Sequence, residues 1–497
     1  MNLIDIPKKS KDECIKSFTK YFLENDKYEK YEKLSELTKI GELGEKNLRG
    51  MAWKIFMNVL PVKDSLEKWV ENISYSRTEY KILSDKIIKE QNYFEEIKKE
   101  KEINHNNQII DKFSRANSFY YNPFHDEKEM IQLINLDLNR TFQELSLFHD
   151  EKIKNKLSNI LVLWNKLNMD LGYQQGMNDI LSIIFLSLYP YYFHNKHKIN
   201  NIENVIKTWD KNERINKAED IYMFFHDEDE LESDLFICFS NIMKNGVKSL
   251  YDFVFESKEK QINYIQKHSL FEKNNGIEKE EINTPLNIRC KLIINEKLKK
   301  LDSKLYEHFN KIGLDCTIFL QKWLKCMFDR EFELKDTLIL WDVILSDKKK
   351  EYDLVIIDII ALSMILRIRN ILLLCDQNQC FMMMLQYPRI DNILELIIFS
   401  EKLYESIKDL NKGIRSIFLD NVKSFIVSGD MNDNNKNIKK NEKNNNENKE
   451  IMPVETYEEG IKRLGNLYTK YNSLMSITDK KEFITIIHFF NNYQKND

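Results

Sequence analysis

The chain has 497 residues, of which 42% are hydrophobic, so it exceeds one ordinary domain and can bury a sizeable core. Its charges nearly cancel, 75 Lys and Arg against 79 Asp and Glu for a net −4, which excludes a grip on nucleic acid built on global charge. Only 7 Pro and 12 Gly interrupt the chain, and such a composition predicts an all-α protein.

In chain order, residues 1–44 are charged and amphipathic and read as a helical N-terminal arm. The stretch from Leu48 to Leu60 (LRGMAWKIFMNVL) has a helical pattern that Pro61 ends. Residues 62–112 read as one or two charged helices, and 106–127 as a connector with aromatic anchors. From Glu129 to Tyr192 the helical periodicity is strong, broken at Gly172 and Gly176. A polar, weakly patterned insert is expected over 244–300, with helical ends. Helical pattern then resumes from Lys304 to Lys423, with 401–431 as an extension. Between Asn432 and Glu450, 9 of 19 residues are Asn and most of the rest are charged. Such a segment cannot bury enough apolar area to offset its ordering entropy, so it reads as a disordered spacer. A terminal helical segment is expected over 451–497.

Much familiar chemistry is missing. There is no GxxxxGK[ST], HExxH or GxSxG, and Gly41–Glu45 (GELGE) is not a dinucleotide-binding turn. Seven scattered cysteines form no CxxC pair, as expected of reduced thiols in the cytosol. Cys375 and Cys380 stand five apart without a His or Cys pair to complete a zinc set, so no metal is expected. The first residues (MNLIDIPKKSKDE) lack the apolar region of a secretory signal. The most apolar run, Leu354 to Leu366, contains Asp358 and is shorter than a bilayer span, so any membrane role is expected to be peripheral.

Two short segments stand out. In Ile134–Phe142 (INLDLNRTF), Ile131, Ile134, Leu138 and Phe142 mark one helical face, and Asp137 and Arg140 lie three apart. On a helix that spacing lets the carboxylate hold the guanidinium, or it makes a plain surface ion pair contributing about 0.2–0.5 kcal/mol. In Tyr173–Asp179 (YQQGMND), Gly176 permits close backbone approach, and Asn178 or Asp179 can cap the following helix. The separation of 35 residues from Arg140 to Gln175 accommodates one antiparallel helix that returns both to the same end.

These segments match the IxxDxxR and YxQG patterns of the TBC domain of Rab GTPase-activating proteins, in that family's order and spacing. Arg49–Trp53 resembles its opening RGxxW helix, and Asp234–Phe239 with Met243 resembles a DAFWCFxxLM segment. Leu301–His308 and Trp323–Phe328 resemble later helices; Glu331–Phe332 and Leu340–Asp342 resemble REFPL and LWD. Leu366–Asn370 and Met384–Asp391 are similar to the subgroup of TBC domain family member five. The resemblance covers roughly residues 45–400 and implies a multi-helix TBC domain with helical N- and C-terminal extensions. One departure is Gln143, where the family has Pro.

The resemblance implies catalysis in trans. Arg140, held by Asp137, would be an arginine finger, and Gln175 a glutamine finger orienting the attacking water. Tyr173, Gly176 and Asn178 would fix the loop that carries Gln175. Trp53, Trp323 and Trp341 are expected in the core, and Arg49 in a salt bridge within the fold. The implied partner is a GTP-bound Rab small GTPase, which itself carries GTP and magnesium, so the chain needs no cofactor. An endosomal coat or sorting complex is a further implied partner, and no nucleic acid is expected. The expected location is cytoplasmic, with recruitment to endosomal or other vesicle membranes. The alternative is a catalytically inactive TBC-like scaffold that binds a Rab or a coat complex.

Overall fold

The computed structural model describes residues 3–24, 29–104, 123–253, 258–269, 283–347 and 354–411. The expected spacer at 432–450, the terminal segment at 451–497, most of the 106–127 connector and the extension beyond residue 411 lie outside these. Among the described residues the regular structure is helical, as the low Pro and Gly content requires. The β pairing among them is confined to two isolated bridges, Ile4 with Leu145 and Phe193 with Asp227. No described helix is long and apolar enough to cross a membrane.

The N-terminal arm is part of the body. Helix α1 (Lys11–Phe18) starts at Ser10, whose side chain accepts from the Glu13 N–H, and runs on as a π-helical turn to Leu23. Cys14, Phe18, Phe22 and Leu23 are buried, and the Phe18 ring lies 5.5 Å from Phe22 and 5.7 Å from Tyr222. After α2 (Glu29–Lys39) comes α3 (Arg49–Phe56), which is buried from Gly50 to Phe56. It ends well before Pro61, because Asn58 turns left-handed (φ 58°) and the Lys54 carbonyl accepts from the Val59 and Leu60 N–H groups. The charged region that follows is one helix, α4 (Leu66–Asn104), which buries Trp69, Val70, Ile73 and Arg77 near its start.

Three buried carboxylates fasten distant parts of the chain to one another. Asp342, in the Leu334–Ser346 helix, accepts from Arg49 Nε and Nη2 at 2.9 and 2.7 Å and from Trp53 Nε1 at 2.6 Å. Trp53 stacks on Trp341 at 5.8 Å, and Trp53, Trp323 and Trp341 are fully buried, so Arg49 and the three tryptophans serve the fold. Asp234, in the Leu231–Lys244 helix, accepts from Arg77 at 2.7 and 2.8 Å, Lys54 at 2.9 Å and the Tyr192 hydroxyl at 2.5 Å. Asp358, inside the most apolar helix (Val355–Arg367), accepts from Arg289 and, at 2.7 Å, from Lys297.

This last contact reaches into the helical end of the expected insert at 244–300. Its polar part ends before residue 283, and Pro285–Lys291 with the π-helical Leu292–Leu298 belong to the core. Leu286, Ile288, Cys290, Ile293 and Leu298 are buried there beside Arg289 and Lys297. Two of the charges that made this stretch read as surface, Arg289 and Lys297, are the ones that neutralise Asp358.

Burial alone would raise the Asp234 carboxyl, but the charges of Arg77 and Lys54 outweigh it and hold the group well below the usual carboxylate range. Removing that charge strands two buried cations, so Asp234→Asn should lower stability by about 3–5 kcal/mol in urea unfolding. A lowered folded pKa gives stability that is present above the ordinary carboxylate range and lost as pH falls through the folded value. The difference between wild type and variant should therefore hold from neutral to mildly acid pH and shrink only in strong acid.

Candidate functional site

Helix α5 (Pro123–Arg140) carries the first motif. Ile134, Asp137 and Leu138 face inward and are buried, whereas Leu133, Leu136 and Arg140 are exposed. The helix stops because Phe142 adopts a left-handed conformation (φ 41°). Its last turn is closed by side chains: Thr141 Oγ1 donates to the Asp137 carbonyl and Gln143 Nε2 to the Asn139 carbonyl, both at 2.8 Å. Gln143 thus satisfies a helix-end carbonyl in the place where the resemblance expects proline. The turn is also clasped by the N-terminal arm. Ile4 N–H donates to the Glu144 carbonyl at 2.8 Å, Ser146 N–H to the Ile4 carbonyl at 2.9 Å, and Ser146 Oγ to Asp5 at 2.5 Å. Backbone pairing of this kind leaves no periodic trace in the sequence, and sequence reasoning missed it.

Helix α6 (Glu151–Leu167), capped by Asp150, packs against α5 and against α7 (Met177–Leu188). The loop between α6 and α7 is set by Gly172 (φ 69°) and Gly176 (φ 103°), and Asn165 Oδ1 accepts from the Tyr173 N–H at 2.7 Å. A Cβ on Gly176 would stand 3.1 Å from Tyr251 Oη, which is itself fixed by donation to the Lys325 carbonyl at 2.8 Å. Gly176 is the residue before the helix, and no side chain caps α7. Asn178, expected as a possible cap, reaches back instead: its Oδ1 accepts from the Gly176 N–H at 3.0 Å.

A buried polar seam joins the two motifs. Tyr173 Oη lies 2.8 Å from Asp137 Oδ2 and 3.1 Å from Asn178 Oδ1. Asn178 Nδ2 donates to Thr141 Oγ1 and to Asp179 Oδ1, each at 2.9 Å. Burial, reinforced by the Asp137 charge, holds the Tyr173 phenol far above its ordinary value, so it remains a donor. Asp179 pairs with Arg330 and accepts from the Cys326 thiol at 3.7 Å.

The expected hold of Asp137 on Arg140 is absent. The carboxylate is committed to Tyr173, on the inward side of α5, while Arg140 points to solvent from the helix end. The side chains of Arg140 and Gln175 are exposed and make no hydrogen bond or ion pair with another described residue. Beside Gln175 the loop is held by the Tyr173 N–H on Asn165, the positive φ of Gly176 and the Asn178 amide on the Gly176 N–H.

The model of the Rab-GTPase-TBC domain matches residues 46–373, most of the chain. The chain belongs to the Rab-GTPase-TBC domain family. It is similar to TBC1 domain family member 5 of Mus musculus, with 26% identity over 352 residues, 70% of this chain and 39% of that protein. GTPase-activating protein GYP1 of Saccharomyces cerevisiae is 24% identical over 218 residues, covering 44% of this chain and 28% of that one. The chain therefore spans well under half the length of these relatives. Its fold is that of the Ypt/Rab-GAP domain of Gyp1p, at a TM-score of 0.50 and 16% identity, covering 80% of this chain and 99% of that structure.

In this TBC domain the α6–α7 loop depends on Gly176. Gly176→Ala would put a side chain at positive φ and against Tyr251, at a cost of about 1–3 kcal/mol. The thermal midpoint should fall accordingly, and hydrogen exchange should quicken first in residues 172–179.

Proposed function

We propose that the chain is a GTPase-activating protein for a Rab small GTPase and that Arg140 and Gln175 enter the partner's active site in trans. One observation carries this reading: two long polar side chains stand exposed and unengaged by other described residues, on a frame whose Asp137, Thr141, Tyr173 and Asn178 side chains are buried and hydrogen-bonded. The seam ties the two carriers together, so a partner meeting one side chain would meet the other.

The chemistry suits the residues. A guanidinium is always charged and presents a planar fork of donors to phosphate oxygens as charge develops on them. Such a finger contributes roughly 10³–10⁵ in rate, or about 4–7 kcal/mol. The Gln175 amide can donate to one oxygen while accepting from the attacking water, which orients the nucleophile. GTP and magnesium belong to the GTPase, and this chain supplies no cofactor. Leu133 and Leu136, 42% and 52% exposed and seven and four residues before Arg140, would give the partner an apolar footing beside the finger. We place the activity in vesicle or endosomal traffic, with the chain recruited peripherally from the cytoplasm.

The test is phosphate release from a panel of GTP-loaded Rabs. Acceleration on one or a few of them should fall by roughly 10³-fold or more in Arg140→Ala, and steeply in Gln175→Ala. Binding should stay near wild type, because a finger acts in the transition state. Binding without acceleration by the wild type would make the chain a scaffold instead.

Leu136→Asp separates footing from finger. It should raise KM for the Rab several-fold and leave kcat near wild type.

A further inference from the structure

We infer that Asp179, Cys326 and Asp329 form a binding site for one zinc-class divalent cation, at the first turn of α7 behind the Gln175 loop. One oxygen from each carboxylate and the Cys326 sulfur lie within 4.8 Å of one another, and all three residues are buried. Asp329 is only 6% exposed, and its Oδ1 has no hydrogen-bond partner. A buried carboxylate oxygen without a donor is costly, and the one thiol of the cluster donates to Asp179 instead. A cation at the centre of the three groups satisfies it.

The backbone gathers the ligands from two places. Asp179 comes from the start of α7, and Cys326 and Asp329 from the turn after the Thr317–Lys325 helix. Met327 and Phe328 in that turn both have positive φ, 49° and 65°, which brings Cys326 and Asp329 to one side.

The donor set selects the ion. One sulfur and two carboxylates suit zinc, which takes three protein ligands and an open fourth position readily, whereas magnesium and calcium favour oxygen alone. Charge also closes. Two carboxylates and a thiolate carry three negative charges, balanced by the two charges of the ion and the one of Arg330, already paired with Asp179. The arginine can thus remain as an outer partner of a ligand. Its side chain is 46% exposed and marks the side from which an ion enters. On binding, the Cys326 thiol and the Asp329 carboxyl, which burial keeps protonated, each give a proton to solvent as their bonds to the metal form.

The test uses the full chain, stripped with chelator and titrated with zinc against a chromophoric competitor, then with cobalt. One equivalent should bind, and the cobalt form should show a thiolate-to-metal charge-transfer band. Cys326→Ser should abolish the band, and Asp329→Asn should weaken zinc binding by more than the roughly 10–100-fold that outer-shell changes cost. Because either variant can misfold, the wild type is also alkylated with and without zinc. Mass spectrometry should find Cys326 protected by the metal relative to the other six cysteines. No tight equivalent, a cobalt form without the band, or alkylation of Cys326 indifferent to zinc would overturn the site. None of these readouts involves a GTPase, so the result is independent of the proposed activity.

Discussion

Tyr173 joins the three helices of the site. Its hydroxyl lies between Asp137 of α5 and Asn178 of α7, and its N–H is held by Asn165 of α6. Three helices therefore meet at one residue, in a place from which water is excluded. The phenol must donate there, because Asp137 has only acceptors to offer. Asn178 completes the circuit with one amide that accepts from Gly176 and donates to Thr141 and Asp179. In a buried network each group left unpaired would cost its full desolvation, so the arrangement has one geometry in which all are satisfied. That uniqueness fixes where the helix end bearing Arg140 lies relative to the loop bearing Gln175.

The larger frame follows the same logic with full charges. Asp342, Asp234 and Asp358 each gather donors from segments distant in sequence, and each lies among apolar neighbours. Replacing such clusters by hydrophobic residues is often neutral or stabilising, so they are weak evidence of net stability. What they supply is discrimination. Helices that bury nearly all their surface, such as α3 and α7, could slide on one another with small loss of apolar contact. Lys54 and Arg77 can meet Asp234 in only one register, and the alternatives leave a bare charge in the core.

Helices and motif positions were legible in the sequence because they rest on periodicity and on residue types with narrow roles. What escaped is what depends on the third dimension. Asp137 and Arg140 have the spacing of an ion pair, but spacing does not say which face of α5 is buried; Ile134 and Leu138 turn Asp137 inward with them. Residues 285–298 read as polar because Arg289, Lys291, Glu296 and Lys297 dominate the pattern, and Asp358, the buried partner of Arg289 and Lys297, lies far along the chain. The clasp of Ile4 on the Arg140 turn is made by backbone groups that every residue has. Asp329 drew no notice because its neighbours in space, Asp179 and Cys326, are unremarkable one at a time.

The inward turn of Asp137 also bears on how the proposed finger would work. An arginine already paired within its own helix would have to break that pair to reach a phosphate, and the lost interaction would be subtracted from transition-state stabilisation. Arg140, which pairs with no described residue, gives up only rotamer freedom, on the order of 2 kcal/mol, which is small beside the electrostatic gain at the developing charge. Precision then has to come from the base of the side chain. The closed last turn of α5, made by Thr141, Gln143 and the clasp of Ile4, supplies it by fixing the backbone from which Arg140 projects. A rigid mount and a free tip are separate requirements, and here different residues meet them.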